Sequence, residues 1–180
     1  MSHEHKHLRS AGEARLSHAI QIGLFVFFII VWILDSFIFP LFGIFNLAYL
    51  WTIPLYVASA IGMWGFGFVL AYLISIVPGI LIIVLALYLM SRSHIVFKVQ
   101  EPKVVDYGLY SRVRHPMYLG SILMYVGFWV TTLSLFSLIP LVAAILGYNY
   151  LASQEETFLI EKFGDHYIQY KNRVPKWLPH

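Results

Sequence analysis

A chain of 180 residues that is 59% hydrophobic and only 12% charged carries about half the charge of an ordinary soluble domain, which excludes a water-soluble globule. The absence of cysteine removes disulfides, thiolate zinc sites and cysteine nucleophiles together. A net charge of +3 is already explained by membrane topology and gives nucleic-acid binding no support.

Charge is confined to blocks: none of Asp, Glu, Lys or Arg occurs in 16–34, 36–91 or 117–154. A helical span needs roughly 20 apolar residues to cross about 30 Å of hydrocarbon, so these blocks hold about one, two and two crossings. The chain opens on a polar arm, 1–16, in which His3, His5 and His7 alternate; histidines on an open arm do not make an enclosed metal site. The first span is expected at 17–35. It is retained, because Trp32 to Phe39 offers no small-residue cleavage site. The connection from Asp35 to Tyr49, with Pro40, Gly43 and Asn46, is too apolar for a free loop and is expected at the interface or dipping back into the bundle. Two further spans follow at 50–73 and 76–92.

Five basic residues lie between Ser91 and Pro116: Arg92, Lys98, Lys103, Arg112 and Arg114. Four more follow Gln154: Lys162, Lys171, Arg173 and Lys176. Basic short loops face the cytoplasm, which suits two short spans, 117–132 and 136–154, forming a hairpin that turns around Thr131 to Ser137. Three spans before Ser91 then place the N-terminus outside, although Lys6, Arg9 and Arg15 argue for inside. A count of four or six spans is the alternative this conflict leaves open.

Pro116 fits the first turn of the fourth helix, where a missing N–H costs nothing, and it pushes His115 out of helical geometry. His115 therefore stands at a helix mouth, where free backbone N–H groups favour anions. The last span is expected to run on through Leu151, Glu155, Leu159 and Lys162 until Gly164 caps it. In "DHYIQYKNRVP", Tyr167, Tyr170 and Val174 recur at helical spacing, giving a short amphipathic helix that can lie on the bilayer surface.

The expectation is an all-α, polytopic integral membrane protein with about five transmembrane helices and a C-terminal cytoplasmic amphipathic helix. It is a single domain in which 17–92 form a three-helix membrane support and 93–180 carry the chemistry. Polar groups converge from Pro102 to Tyr118 and from Glu155 to Arg173. Glu155 and Glu156 point about 100° apart on a helix and are not expected to face one partner; their bland alternative is a solvated helix end. An ionisable group near hydrocarbon is costly unless paired or used. Arg112 and Arg114 are what juxtamembrane topology alone predicts, and Tyr110, Tyr118, Tyr125, Trp129 and Tyr148 are what membrane interfaces collect for physical reasons. No Gly-rich phosphate loop, paired-histidine metal motif or nucleophile elbow occurs, and neither a metal nor a nucleic acid is expected as a partner.

"YSRVRHPMYLG", followed some 35 residues later by "EETFLIEKFGDHYIQYKNRVPKWLP", resembles the C-terminal signature of the isoprenylcysteine carboxyl methyltransferase family and the related phospholipid methyltransferases, nearest to the small prokaryotic members. The likeness covers roughly Lys98 to Pro179; the first spans match in hydropathy only. The resemblance implies helices that enclose S-adenosyl-L-methionine under a C-terminal cap on the cytoplasmic side, with S-adenosyl-L-homocysteine as product. Carried over by position, the cofactor contacts are Gln100, Pro102, Lys103, Val104, Val105, Tyr110, His115, Pro116, Met117, Tyr118, Glu155 and Glu156, with Gly120 allowing close approach of its helix. Methyl transfer to a carboxylate needs no general base, so no catalytic residue is expected beyond those that position donor and acceptor. The acceptor would be lipophilic or amphipathic, a prenylcysteine-type carboxylate among the candidates, and would enter from the bilayer.

One departure concerns that acceptor. Eukaryotic members of the family carry an Arg one turn before the first Glu, and Leu151 stands there in this chain, facing the substrate. Arg114 and Arg173 remain as other anion partners. Membrane sterol reductases that use NADPH share the His-Pro-x-Tyr-x-Gly element and a terminal Val-Pro, and form the alternative enzyme reading. A membrane scaffold or transporter without a cofactor is the non-enzymatic one.

Overall fold

The computed structural model describes residues 2–34, 62, 64–98, 104–132 and 136–177, with the backbone alone for 2–15, 64–72, 74, 75, 94–98 and 132. Five helices are seen in this part: α1 (Ser2–Ile33), α2 (Trp64–Lys98), α3 (Pro116–Thr132), α4 (Leu138–Phe163) and α5 (Asp165–Arg173), with a short 3₁₀ turn at Gly108–Ser111 before α3. No strand occurs among the described residues.

Leu16–Ile33 of α1 and Ile76–Ser93 of α2 are the two stretches among them long and apolar enough to cross a membrane, and Pro116–Thr131 is a shorter apolar helix. Their large side chains point outward: Ile22, Phe27 and Ile30 on α1, and Leu81, Val84 and Leu87 on α2, are exposed, as are Ile139, Val142 and Leu146 on α4. Soluble monomers rarely show contiguous apolar surface beyond a few hundred Å². Apolar faces on three helices are the surface expected of a chain embedded in a membrane.

Two boundaries differ from the sequence reading. Helix α1 starts at Ser2, so the residues expected as a polar arm are helical. Helix α2 runs unbroken through 73–76, with Pro78 inside it, and no separation divides the expected spans 50–73 and 76–92. A proline in a membrane helix is tolerated because neighbouring helices re-satisfy the freed backbone groups. Apart from Gly62, the rest of the 50–73 stretch, like the expected connection from Asp35 to Tyr49, lies outside the described residues.

Helices α2 and α3 pack antiparallel along a seam of small residues. A Cβ on Gly79 would stand 2.8 Å from the backbone N of Thr131 and 2.9 Å from the Gly127 carbonyl oxygen. One on Gly127 would meet Ile83 at 2.6 Å, and one on Gly120 would meet Met90 at 2.6 Å and the Ala86 carbonyl oxygen at 3.1 Å. The close approach that Gly120 permits is thus to α2. Helices α1, α3 and α4 meet in an aromatic core, where Phe28 lies edge-on to Tyr125 at 4.9 Å, with Leu141, Ala144 and Tyr148 around it. Trp32 Nε1 closes this layer by donating to the Phe128 carbonyl at 3.1 Å.

Helix α4 ends where the sequence places its stop. Gly164 takes φ 58, its N–H returns to the Ile160 carbonyl at 2.8 Å, and α5 begins at the next residue. That left-handed turn favours glycine and folds α5 back on α4. The apolar face of α5 is turned inward: Tyr167, Tyr170 and Val174 are buried against Val104, Leu159, Ile160 and Phe163. The face read from the sequence as fit for the bilayer surface is a protein contact.

Candidate functional site

Pro116 opens α3, and the His115 carbonyl accepts the N–H of Leu119 at 2.9 Å, so His115 occupies the capping position that the proline creates. Its imidazole is 5% exposed. Nε2 lies 3.0 Å from Oε1 of Glu156, and Nδ1 lies 3.5 Å from Oε2 of Glu155. The expectation that the two glutamates cannot face one partner is therefore corrected. They do diverge along α4, but an imidazole has a nitrogen on each side of its ring and bridges the gap between them.

The two carboxylates have unequal surroundings. Glu156 is buried and holds three cations: His115, Arg114 through Nε at 3.5 Å, and Lys171 through Nζ at 3.1 Å on its other oxygen. Burial alone would raise its pKa, but hydrogen bonds with His115 and Lys171 and the charges of Arg114 and His115 win and hold it at about 2. Glu155 keeps 41% of its side chain exposed and has Tyr118 as a further partner. His115 responds to both: burial pulls its pKa down, while the hydrogen bonds and charges of Glu155 and then Glu156 outweigh that and raise it above the ordinary 6.5.

These shifts set the pH range of stability. Glu156 contributes above its unfolded value of 4.5, a contribution lost as pH falls through about 2. His115 contributes fully below 6.5 and loses its contribution as pH rises through its elevated folded value. The unfolding temperature in detergent is therefore expected to peak between about 4.5 and 6.5 and to decline on both sides. In His115→Gln the alkaline decline should flatten; an unchanged alkaline limb would show that the imidazolium is not part of the lock.

Aromatic rings surround the cluster. His115 stacks on Tyr118 with ring centroids 5.7 Å apart and planes 10° apart, and the Trp177 ring lies 5.9 Å from it, tilted by 45°. Tyr110, on the 3₁₀ turn, accepts the Tyr170 hydroxyl on its carbonyl at 2.7 Å. Burial, and then the negative charge of Glu155, push the Tyr110 phenol up to about 12, so it is a donor throughout the ordinary pH range.

Of the residues singled out in the sequence, Tyr110, Arg114, His115, Pro116, Met117, Tyr118, Glu155 and Glu156 fall on elements that meet here. Val104 packs under α5 and Val105 is half-buried beside it. Gln100, Pro102 and Lys103 lie outside the described residues. Leu151 is 6% exposed and brings no charge. Arg173 stands apart: it is 68% exposed and faces Asp106 at 3.7 Å.

Sequence reasoning missed Lys171, Lys176 and Trp177. A signal for Lys171 was present, since it shares with Tyr167, Tyr170 and Val174 the i, i+3, i+4, i+7 spacing of one helix face. Trp177 and Lys176 sit in an irregular segment where no periodicity applies. The segment is tied down by the Arg114 N–H on the Pro175 carbonyl at 2.9 Å.

The phospholipid methyltransferase family model matches residues 71–166, just over half of the chain. Protein-S-isoprenylcysteine O-methyltransferase of Schizosaccharomyces pombe is 36% identical over 97 residues, 49% of this chain and 39% of that protein. The Saccharomyces cerevisiae protein of the same name is 32% identical over 128 residues, 63% of this chain and 53% of that protein. Methanethiol S-methyltransferase 1 of Bradyrhizobium diazoefficiens is 37% identical over 89 residues, 48% of this chain and 30% of that protein. The matched stretches thus span about half or less of these relatives. No solved structure matches the chain.

Proposed function

Because the chain belongs to the phospholipid methyltransferase family, in its isoprenylcysteine carboxyl methyltransferase branch, we propose that it is an S-adenosyl-L-methionine-dependent methyltransferase acting on a lipophilic or amphipathic acceptor from the bilayer. The observation that carries this reading is the division of labour at His115. Glu156 is used up as a buried counter-charge, while Glu155, one helix position earlier, is left half open at the mouth beside stacked aromatic rings. A structural ion-pair lock accounts for Glu156 but gives no reason for an open carboxylate held at the same imidazole.

The donor set fits the cofactor. An open carboxylate suits an amine or ribose hydroxyls, the Tyr110 phenol offers a proton to an acceptor, and aromatic faces at His115 and Tyr118 suit a sulfonium or an adenine ring. When bound, the cofactor supplies an electrophilic methyl group. The chain's own share is positioning: Glu155, Tyr110, His115 and Tyr118 would hold the donor, the 104–105 segment would flank it, and aromatic packing would limit water. Holding donor and acceptor in line can contribute about 7–11 kcal/mol, and a carboxylate acceptor requires no proton to be removed. The basic residues around the site support a cytoplasmic orientation. The relatives' names span an isoprenylcysteine and methanethiol, so the family permits acceptors of very different size.

Calorimetric titration of the purified chain tests the reading. S-Adenosyl-L-homocysteine is expected to bind saturably and NADPH not to bind. Binding of NADPH without S-adenosyl-L-homocysteine would replace the proposal with the reductase reading, and binding of neither would favour a scaffold.

A further inference from the structure

Two arginines are the obvious anion partners for an acceptor, and neither is free for the task. Arg114 is buried against Glu156, and Arg173 lies on the outside facing Asp106. Lys171 is committed to Glu156 as well. Lys176 is held differently. Its ammonium donates to the Asn149 carbonyl at 3.3 Å, to Asn149 Oδ1 at 2.9 Å and to Ser153 Oγ at 2.8 Å. All three acceptors are neutral, and among the described residues no carboxylate lies within ion-pair distance of it.

Its position matches an entry route from the bilayer. Asn149 and Ser153 are exposed on α4, and Asn149 precedes Glu156 by two turns, about 10 Å along the axis, toward the membrane side of the helix. Next to them Leu146 and Tyr150 are exposed at 64% and 58%, an apolar strip on which a hydrocarbon chain can lie. Trp177 links the lysine to the site: its ring lies 5.6 Å from the ammonium, its Nε1 donates to Asn149 Oδ1 at 3.3 Å, and its ring reaches His115. Burial lowers the Lys176 pKa, with Glu156 opposing and Arg114 and Lys171 adding to the decrease.

We infer that Lys176, presented by Asn149 and Ser153, is the residue that selects the methyl acceptor by holding its carboxylate head. The inference rests on the methyltransferase reading. The acceptor carboxylate exchanges for one of the neutral oxygens on the ammonium, and such a charge-assisted bond is stronger than the one it replaces. In the transfer a carboxylate oxygen–carbon bond forms, the sulfonium's sulfur–carbon bond breaks, the sulfonium becomes a neutral thioether, and no proton moves. The product ester carries no charge, so the attraction that recruits the acceptor is absent from the product.

Hexadecylthioacetic acid and its methyl ester, titrated by calorimetry into the chain in phosphatidylcholine nanodiscs, test this, with S-adenosyl-L-homocysteine titrated into the same samples. The acid is expected to bind at least about tenfold tighter than the ester. Lys176→Met should abolish that preference, and Lys176→Arg, which keeps the charge should the methionine variant fold poorly, should preserve it. No acid preference in the wild type, a preference that survives in Lys176→Met, or equal weakening of acid and ester overturns the inference. A preference that follows Lys176 in a chain that does not bind S-adenosyl-L-homocysteine upholds the anion subsite and overturns the methyltransferase reading instead.

Discussion

Glu156→Gln is expected to destabilise the chain by about 3–5 kcal/mol, the usual cost of removing one partner from a buried ionic cluster. Glutamine keeps the shape and much of the hydrogen bonding, so the loss isolates charge. His115, Arg114 and Lys171 all converge on this one carboxylate, and without it the half-open Glu155 is the single anion left at the imidazole. The imidazolium then loses one of the two anions that keep it protonated. Thermal unfolding in detergent across pH would show the defect greatest in the mildly acidic range and smaller once His115 is neutral. A uniform defect, or one below about 1 kcal/mol, which is the typical effect of an arbitrary substitution, would mean that the cations find other partners.

Glu155→Gln is expected to do the reverse. Its carboxylate is 41% exposed, meets His115 Nδ1 at 3.5 Å and has Tyr118 as a second partner, and for so open a pair stability should change by no more than about 1 kcal/mol. The affinity for S-adenosyl-L-homocysteine should fall about ten- to a hundredfold, the value of a hydrogen bond to a charged group at about 1.5–3 kcal/mol. Measured side by side, two neighbouring glutamates should give opposite profiles: stability lost with Glu156, ligand affinity lost with Glu155. Equal effects on both quantities from both substitutions would remove the division of labour on which the proposed function rests.

The parts of this arrangement set by local chemistry were legible from residues alone. Pro116 announces the start of α3 and places His115 at its mouth, and Gly164 announces the end of α4 through the φ it must adopt. What failed did so where a tertiary partner decides. The separation expected between 73 and 76 is absent because α2 runs on through it and through Pro78, its backbone supported by neighbouring membrane helices, and nothing in the local sequence says so. Tyr167 and Tyr170 form an apolar face that bilayer and protein would bury equally well, and the turn at Gly164 settles it in favour of the protein. The two glutamates were judged by their own directions, whereas the outcome depends on the partner having two nitrogens. Lys171 shared the buried stripe of α5 yet drew no attention, because a lysine among tyrosines reads as an edge residue until Glu156 is found opposite it.

The small-residue seam between α2 and α3 has a mechanical consequence. With Gly79, Gly120 and Gly127 so close to the facing helix that an added Cβ would stand 2.8–3.1 Å from its backbone atoms, the two helices pack as one stiff lever, and His115 is joined to its end. Both carboxylates ride on the other arm, α4. The imidazole is therefore the coupling between two arms, and any ligand that spreads them by an ångström registers first in the bond lengths to Glu155 and Glu156, long before the lever itself bends.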